Sequence, residues 1–157
     1  MKDITSAVLV HQNSDTLRLL TGTLERLGVH VTHAGSRAQA KRMLGGLGPA
    51  PLVFTDTQLP DGTWADILAL GEKAAIPVNV IVVARVVDTR FYVEAIEAGA
   101  FDFIAPPFNS TDLAHVIRCA LDNVAVRRAK HVGPSPAADV GSYSEVMQES
   151  DAQVAAN

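Results

Sequence analysis

Apolar runs short enough to be strands alternate along this chain with longer stretches whose apolar residues recur at helical spacing. That alternation narrows the fold more than any other feature. "AVLV" (Ala7–Val10) is a short buried run. In "SDTLRLLTGTLERLG", Leu17, Leu20, Leu24 and Leu27 share one face, with Ser14 as N-cap and Gly28 as the C-terminal stop. "VHVTH" alternates as a half-exposed strand does, and "SRAQAKRMLGGLG" opens on Ser36 as a cap and breaks at Gly45-Gly46. "PLVFTD" reads as the third strand, followed by a helix from about Trp64 to Ala75 that carries Ile67, Leu68 and Leu70. "VNVIVVA" (Val78–Ala84) is the most continuously β-branched run, the pattern of a central strand covered on both faces. A helix from about Asp88 to Ala98 ends at Gly99 and leads to "FDFIA" as the fifth strand. Ser110 is placed as the cap of the last helix, which has Leu113, Val116, Ile117, Ala120, Leu121 and Val124 inward.

Five strands alternating with five helices imply an α/β fold with parallel strands, right-handed crossovers and helices on both faces. In such doubly wound sheets, ligands collect beyond the carboxyl ends of the strands, where strand order reverses. Asp56 ends the third strand and belongs to that rim. So do His11 and Gln12 after the first strand, Ala84 and Arg85 after the fourth, and Pro106 after the fifth. Burial accounts for the strands but not for Asp56, because an ionised acid gains nothing from an apolar wall.

A chain of 157 residues fits one domain, and 48% hydrophobic with 19% charged residues is a soluble, globular composition. No apolar run approaches the roughly 20 residues of a membrane span, and the N-terminus lacks the regions of a signal peptide. The single cysteine, Cys119, excludes an intrachain disulfide and suits a reducing cytoplasm. It reads as an inert core or interface thiol. The net charge of −4 argues against nucleic acid as a partner, and it is unevenly placed. All 13 Lys and Arg residues lie at or before Lys130, whereas 132–157 contains Asp139, Glu145, Glu149 and Asp151. The domain is therefore expected over 1–131, with a Pro/Gly/Ala-rich linker and acidic tail over 132–157. The tail reads as disordered, or as a short helix capped by Ser142 and Glu145.

The order of elements resembles the receiver domain of bacterial response regulators, over about residues 4 to 128. The carriers are "VFTDTQLPDGTW" and "EAIEAGAFDFIAPPF". The resemblance implies a flavodoxin-like (βα)5 fold with strand order 2-1-3-4-5 and a role in two-component phosphorelay signalling. It places the phosphoacceptor at Asp56, with Thr57, Gln58 and Trp64 in the loop beside it and Phe103 as the switch aromatic. Trp64 would be a lid or a surface for a partner. The family's neutralising groups are an acidic pair that holds Mg²⁺, a Ser or Thr, and a Lys. Here those positions fall on His11 with Gln12, on Ala84 and on Pro106, so the pocket reads as degenerate.

Each feature also has a plainer reading. Asp56 is a capping or solvated strand end, or a retained, metal-poor acceptor. His11 is an imidazolium paired with Asp56, or a neutral ring bonded to backbone or water. His11 with Asp56 falls short of the three or four ligands zinc wants. Asp61 reads as turn chemistry, and "RRAK" as a solvated helix end that suits the helix dipole. Three functions follow. The first is an atypical, stand-alone receiver, not an enzyme and without cofactor or metal. It would bind a histidine kinase or downstream protein, or dimerise through the face of the fourth helix, fifth strand and fifth helix, where Arg90, Phe91, Tyr92 and Arg118 fall. The second is a working phosphoreceiver with unusual cofactor needs, phosphorylated on Asp56 by a histidine kinase, in which His11 or a group behind the pocket replaces the metal's charge. Mg²⁺ is a cofactor only under this alternative. The third is a small-molecule or nucleotide binder on the same scaffold, although no phosphate-cradling glycine loop is present. The chain is too short to be expected to hold an output domain as well.

Overall fold

The computed structural model describes residues 5–46 and 49–132. The elements follow in the order β1 (Ser6–Val10), α1 (Asp15–Arg26), β2 (His30–Ala34), α2 (Arg37–Leu44), β3 (Leu52–Asp56), β4 (Gln58–Leu59), β5 (Gly62–Thr63), α3 (Trp64–Lys73), β6 (Asn79–Val83), α4 (Thr89–Glu97), β7 (Asp102–Ile104) and α5 (Ser110–Val132). The main sheet is parallel and five-stranded, in the order β2-β1-β3-β6-β7. This is the expected flavodoxin-like arrangement. It carries one addition, a two-residue hairpin β4–β5 that lies outside the sheet.

Two-residue periodicity divides the core between the two faces of the sheet. Ala7, Leu9, Leu52, Phe54, Ile81 and Val83 pack with Leu17, Leu20 and Leu24 of α1 and Leu113, Ile117 and Ala120 of α5. Val8, Val10, Val53, Val80, Val82 and Phe103 pack with Ala40 and Leu44 of α2, Ile67 and Leu68 of α3 and Ala95 of α4. Each fully buried Leu, Ile or Phe contributes roughly 1.5–3 kcal/mol by leaving water, so this alternation supplies most of the driving force. One close approach requires a glycine: a Cβ on Gly71 of α3 would lie 2.9 Å from Val80 Cγ2.

Local chemistry sets the helix ends. Ser14 and Ser36 cap α1 and α2 as expected, their hydroxyls accepting from the amides of Leu17 and Gln39. Gly28 stops α1 with φ of 87°, a value costly for any residue with a Cβ. The α5 cap differs from expectation. Asn109 accepts from the N–H groups of Thr111 and Asp112, so Ser110 is the first helical residue. Helix α3 carries an unforeseen capping box between Thr63 and Asp66. Asp61 is more than a turn residue. Its carboxylate accepts from the Arg37 and Ala38 amides at 2.7 and 3.0 Å and so caps α2 from a distant loop.

The end of α5 also departs from expectation. Arg127 donates to Val78 O and Asn79 Oδ1, at 3.2 and 2.6 Å. Arg128 donates to Pro77 O and Pro49 O, at 2.8 and 3.0 Å. Asn79 in turn donates to Ala120 O and Asn123 Oδ1. These arginines are not a solvated helix end; they tie α5 to the amino ends of the central strands. Cys119 is exposed, not buried, with Sγ 3.6 Å from His115 Nε2. Helix α5 runs to Val132, one residue past the expected boundary, and the tail reading lies outside the described residues.

Candidate functional site

The order β2-β1-β3 places the switch point of the sheet between β1 and β3, and Asp56 ends β3 there, opposite Val83 of β6. Asp56 is buried, at 9% exposure. Its Oδ1 accepts from the Thr57 N–H at 2.8 Å. The other oxygen accepts no hydrogen bond from the described residues. Asp56 opens on a cavity of about 300 Å³ that Gln12, Asn13, Gln58, Pro60 and Arg85 also line.

The loop after β1 is built tightly. His11 N–H donates to Ala34 O at 2.9 Å, and His11 Nδ1 accepts from Ser14 N–H at 3.1 Å. Asn13 sits in the left-handed region, φ 84°, and its side-chain oxygen accepts from Arg18 at 2.9 Å. Because Nδ1 receives a hydrogen bond, the neutral ring carries its proton on Nε2. Burial, and then His33, hold the His11 pKa below the ordinary histidine value, outweighing the pull of Asp56. The His11 ring meets His33 edge-on at 5.5 Å. The reading of an imidazolium paired with Asp56 is therefore corrected: His11 is a neutral ring bonded to backbone.

The other candidate positions give Asp56 little. Ala84 is buried, its N–H committed to Ile104 O and its methyl offering no donor. Pro106 carries neither a cation nor an N–H. The metal fit fails on chemistry. Mg²⁺ wants oxygen donors, usually with one or two carboxylates, and Asp56 is the single carboxylate of its cavity, with the neutral amides of Gln12, Asn13 and Gln58 and the cation of Arg85 beside it. Among the described residues, no group of three or more His, Cys, Asp or Glu is placed to hold a metal ion. Arg85, which the sequence placed on the rim without assigning it a role, follows Ala84 in the chain, and the register of β3 with β6 brings it to the lining of the Asp56 cavity.

Trp64 does not act as a lid over Asp56. Its N–H donates to Thr57 O at 3.2 Å, and its ring lies 5.3 Å from Phe91. Phe91 in turn meets Phe103 at 5.0 Å, and Tyr92 lies 5.9 Å from the same ring. Phe103, the expected switch aromatic, is buried beneath this row. Phe91 packs inward against the core and so leaves the proposed docking face, where Arg90, Tyr92 and Arg118 remain exposed.

An acid at the switch point of a flavodoxin-like sheet, with a buried aromatic on the edge strand two places away, is the arrangement that the resemblance to receiver domains implied. The comparisons agree with it. The receiver-domain profile of response regulators matches residues 7–118. The response regulator PilR of Pseudomonas aeruginosa is 31% identical over 117 residues, covering 73% of this chain and 26% of PilR. The transcriptional regulator NtrC of Azospirillum brasilense is 29% identical over 119 residues, 75% of this chain and 24% of NtrC. The chain thus spans about a quarter of the length of these relatives. Among solved structures, the receiver domain of a putative LuxO repressor from Vibrio parahaemolyticus superposes with a TM-score of 0.66 at 22% identity. It covers 78% of this chain and 94% of that one. A receiver from Clostridium thermocellum gives 0.65 at 22% identity, covering 78% and 98%. The chain belongs to the response regulator receiver domain family of two-component signalling. No helix among the described residues is long and apolar enough to cross a membrane.

Proposed function

We propose that this receiver acts in the cytoplasm through protein–protein interaction, with weak or no Mg²⁺-dependent phosphorylation of Asp56. Its partners are a histidine kinase, a downstream signalling protein or a second copy of the chain. The observation that carries this reading is the donor set around Asp56. Without carboxylates to cage a divalent cation, a hydroxyl at Ala84 or a lysine at Pro106, several kcal/mol of transition-state charge stabilisation are missing. The hydroxyl absent at Ala84 is also the group that would draw the following loop inward and trigger a switch. What remains exposed is a patch beyond β6 and on α4, where Val86, Val87, Tyr92 and Val93 face solvent.

One observation favours a second reading, in which Asp56 is still an acceptor. Arg85 lines the cavity, and a guanidinium fork turned toward Asp56 would neutralise phosphoryl oxygens without any metal. Acetyl phosphate with and without Mg²⁺, followed by intact mass, separates the two. The leading reading expects no adduct under either condition, or slow labelling indifferent to the metal. Labelling without metal that Arg85→Ala abolishes favours the second reading. Rapid labelling that requires Mg²⁺ overturns both.

A further inference from the structure

Six large hydrophobic side chains are exposed among the described residues, and four of them, Val86, Val87, Tyr92 and Val93, fall at the start of α4 and in the turn before it. The other two, Leu19 and Val126, stand singly on α1 and α5 and need no explanation. A cluster is different. Val86 and Val87 are 68% and 78% exposed, and apolar side chains kept together in water mark a contact surface. Its base is firm, because Phe91 and Tyr92 pack on the buried Phe103 at 5.0 and 5.9 Å. Charge divides the patch along its length. Arg85 and Arg90 are exposed at the end where α4 begins, and neither forms an ion pair with a described residue. Asp88 at that end has its carboxylate bonded to the Phe91 N–H, while Glu94 and Glu97 lie further along α4. The end with the arginines therefore favours an occupant that is both apolar and acidic.

The chain itself contains such an occupant. In residues 142–157, Tyr143, Val146, Met147 and Val154 recur at helical spacing, and residues 132–157 hold four acids and no Lys or Arg. Helix α5 is about 34 Å long and ends at Val132, at the opposite end of the sheet from the patch. The nine residues 133–141 reach back about 30 Å when extended, and a helix over 142–157 adds about 24 Å. Coming from that side, the segment meets the last turn of α4 first and its arginine end later. A tether also holds the segment at a local concentration of roughly millimolar, which a separate molecule rarely matches. We propose that residues 142–157 dock on this patch as a short amphipathic helix. Val146 and Met147 then pack on Val93 and Val87, with Glu149 and Asp151 toward Arg90 and Arg85. The docked segment shields the surface that a partner would use; that consequence rests on the proposed function, and the contact itself does not.

The test compares ¹⁵N spectra of the full chain with and without Val146→Asp and Met147→Asp, which lie outside residues 5–132 and so leave the core of the fold in place. The expected result is a set of shift differences at the amides of residues 85–94, unchanged on dilution. A peptide of residues 140–157 added to the variant should return those amides saturably toward their wild-type positions. Arg90→Gln should weaken that peptide about threefold, the scale of an exposed ion pair, and Lys41→Gln on α2 should not. Val87→Ser, at an exposed position of the patch, should in turn shift the amides of residues 143–151. Superimposable amides at 85–94 in the two proteins, or peptide-induced shifts centred on α1, would overturn the proposal. So would differences that grow with protein concentration alongside a doubled mass in sedimentation, which assign the patch to a second copy. Every readout concerns contact within one chain, so the outcome is separate from whether a partner or a phosphoryl donor for Asp56 is found.

Discussion

At the amino ends of the central strands, Arg127, Arg128 and Asn79 exchange hydrogen bonds with four backbone carbonyls and with Asn123. At the carboxyl ends of the same strands, Asp56 has one amide and an open cavity. Both ends bring a charged group close to the sheet. At the first end the charges have partners, and the burial of Arg128, which lowers its pKa, is offset by two carbonyls. At the second, the carboxylate stands nearly alone. The difference teaches that partnered charge at one rim serves the fold, while unpartnered charge at the other is kept at the fold's expense.

The comparison breaks most easily at the first rim. Asn79→Ala leaves Arg127 with only its Val78 O acceptor and removes the donor to two acceptors of α5, and should cost on the order of 3 kcal/mol in urea unfolding. A loss under about 1 kcal/mol would mean that water replaces the network freely. Asp56→Asn should have the opposite sign: the amide oxygen still accepts from Thr57 while the buried charge is removed. Stability should hold or rise by about 1 kcal/mol, and a clear loss would reveal a counter-charge at this rim.

Two smaller effects concern pH. His11 is held neutral in the fold, its pKa lowered by burial and His33, while the unfolded chain takes up a proton near 6.5. Its contribution is therefore intact above about pH 6.5 and is lost as pH falls toward the lowered folded value. His11→Asn, which keeps an acceptor for Ser14, should flatten that part of the stability–pH curve relative to wild type. The Asp61 carboxyl is held below its ordinary value first by the Arg37 amide, with help from Ala38. That stabilisation is present above the unfolded pKa of about 4 and is lost as pH falls through the folded one. Asp61→Asn should therefore be slightly less stable than wild type at neutral pH. The two should converge in acid, as circular dichroism melts would register.

The regular elements were legible because periodicity and caps are local. Ser14, Ser36 and Gly28 did in the fold what their chemistry implied. The β4–β5 hairpin was not, since two-residue strands have no period to read. Ser110 and Asn109 are both good caps side by side, and only the backbone at that turn chose Asn109. Trp64 was expected, from its place in the loop, as a lid beside Asp56 or as a surface for a partner. Its direction was decided by Phe91, which comes from a different helix. At the rim, Asp56 and Gln12 line one cavity. Arg85, read from the sequence as a rim residue, shares that cavity because β6 pairs with β3.

By itself, then, the sequence determined the α/β alternation, the two faces of the sheet and the delivery of Asp56 to a strand end. Burial of apolar surface depends on spacing along the chain, and spacing is written in the chain. The tertiary structure alone decided which groups stand near that carboxylate, which arginines are structural, and that the His11 ring accepts from the Ser14 N–H. Those outcomes depend on distances that only folding sets, and electrostatics and hydrogen bonding act through such distances.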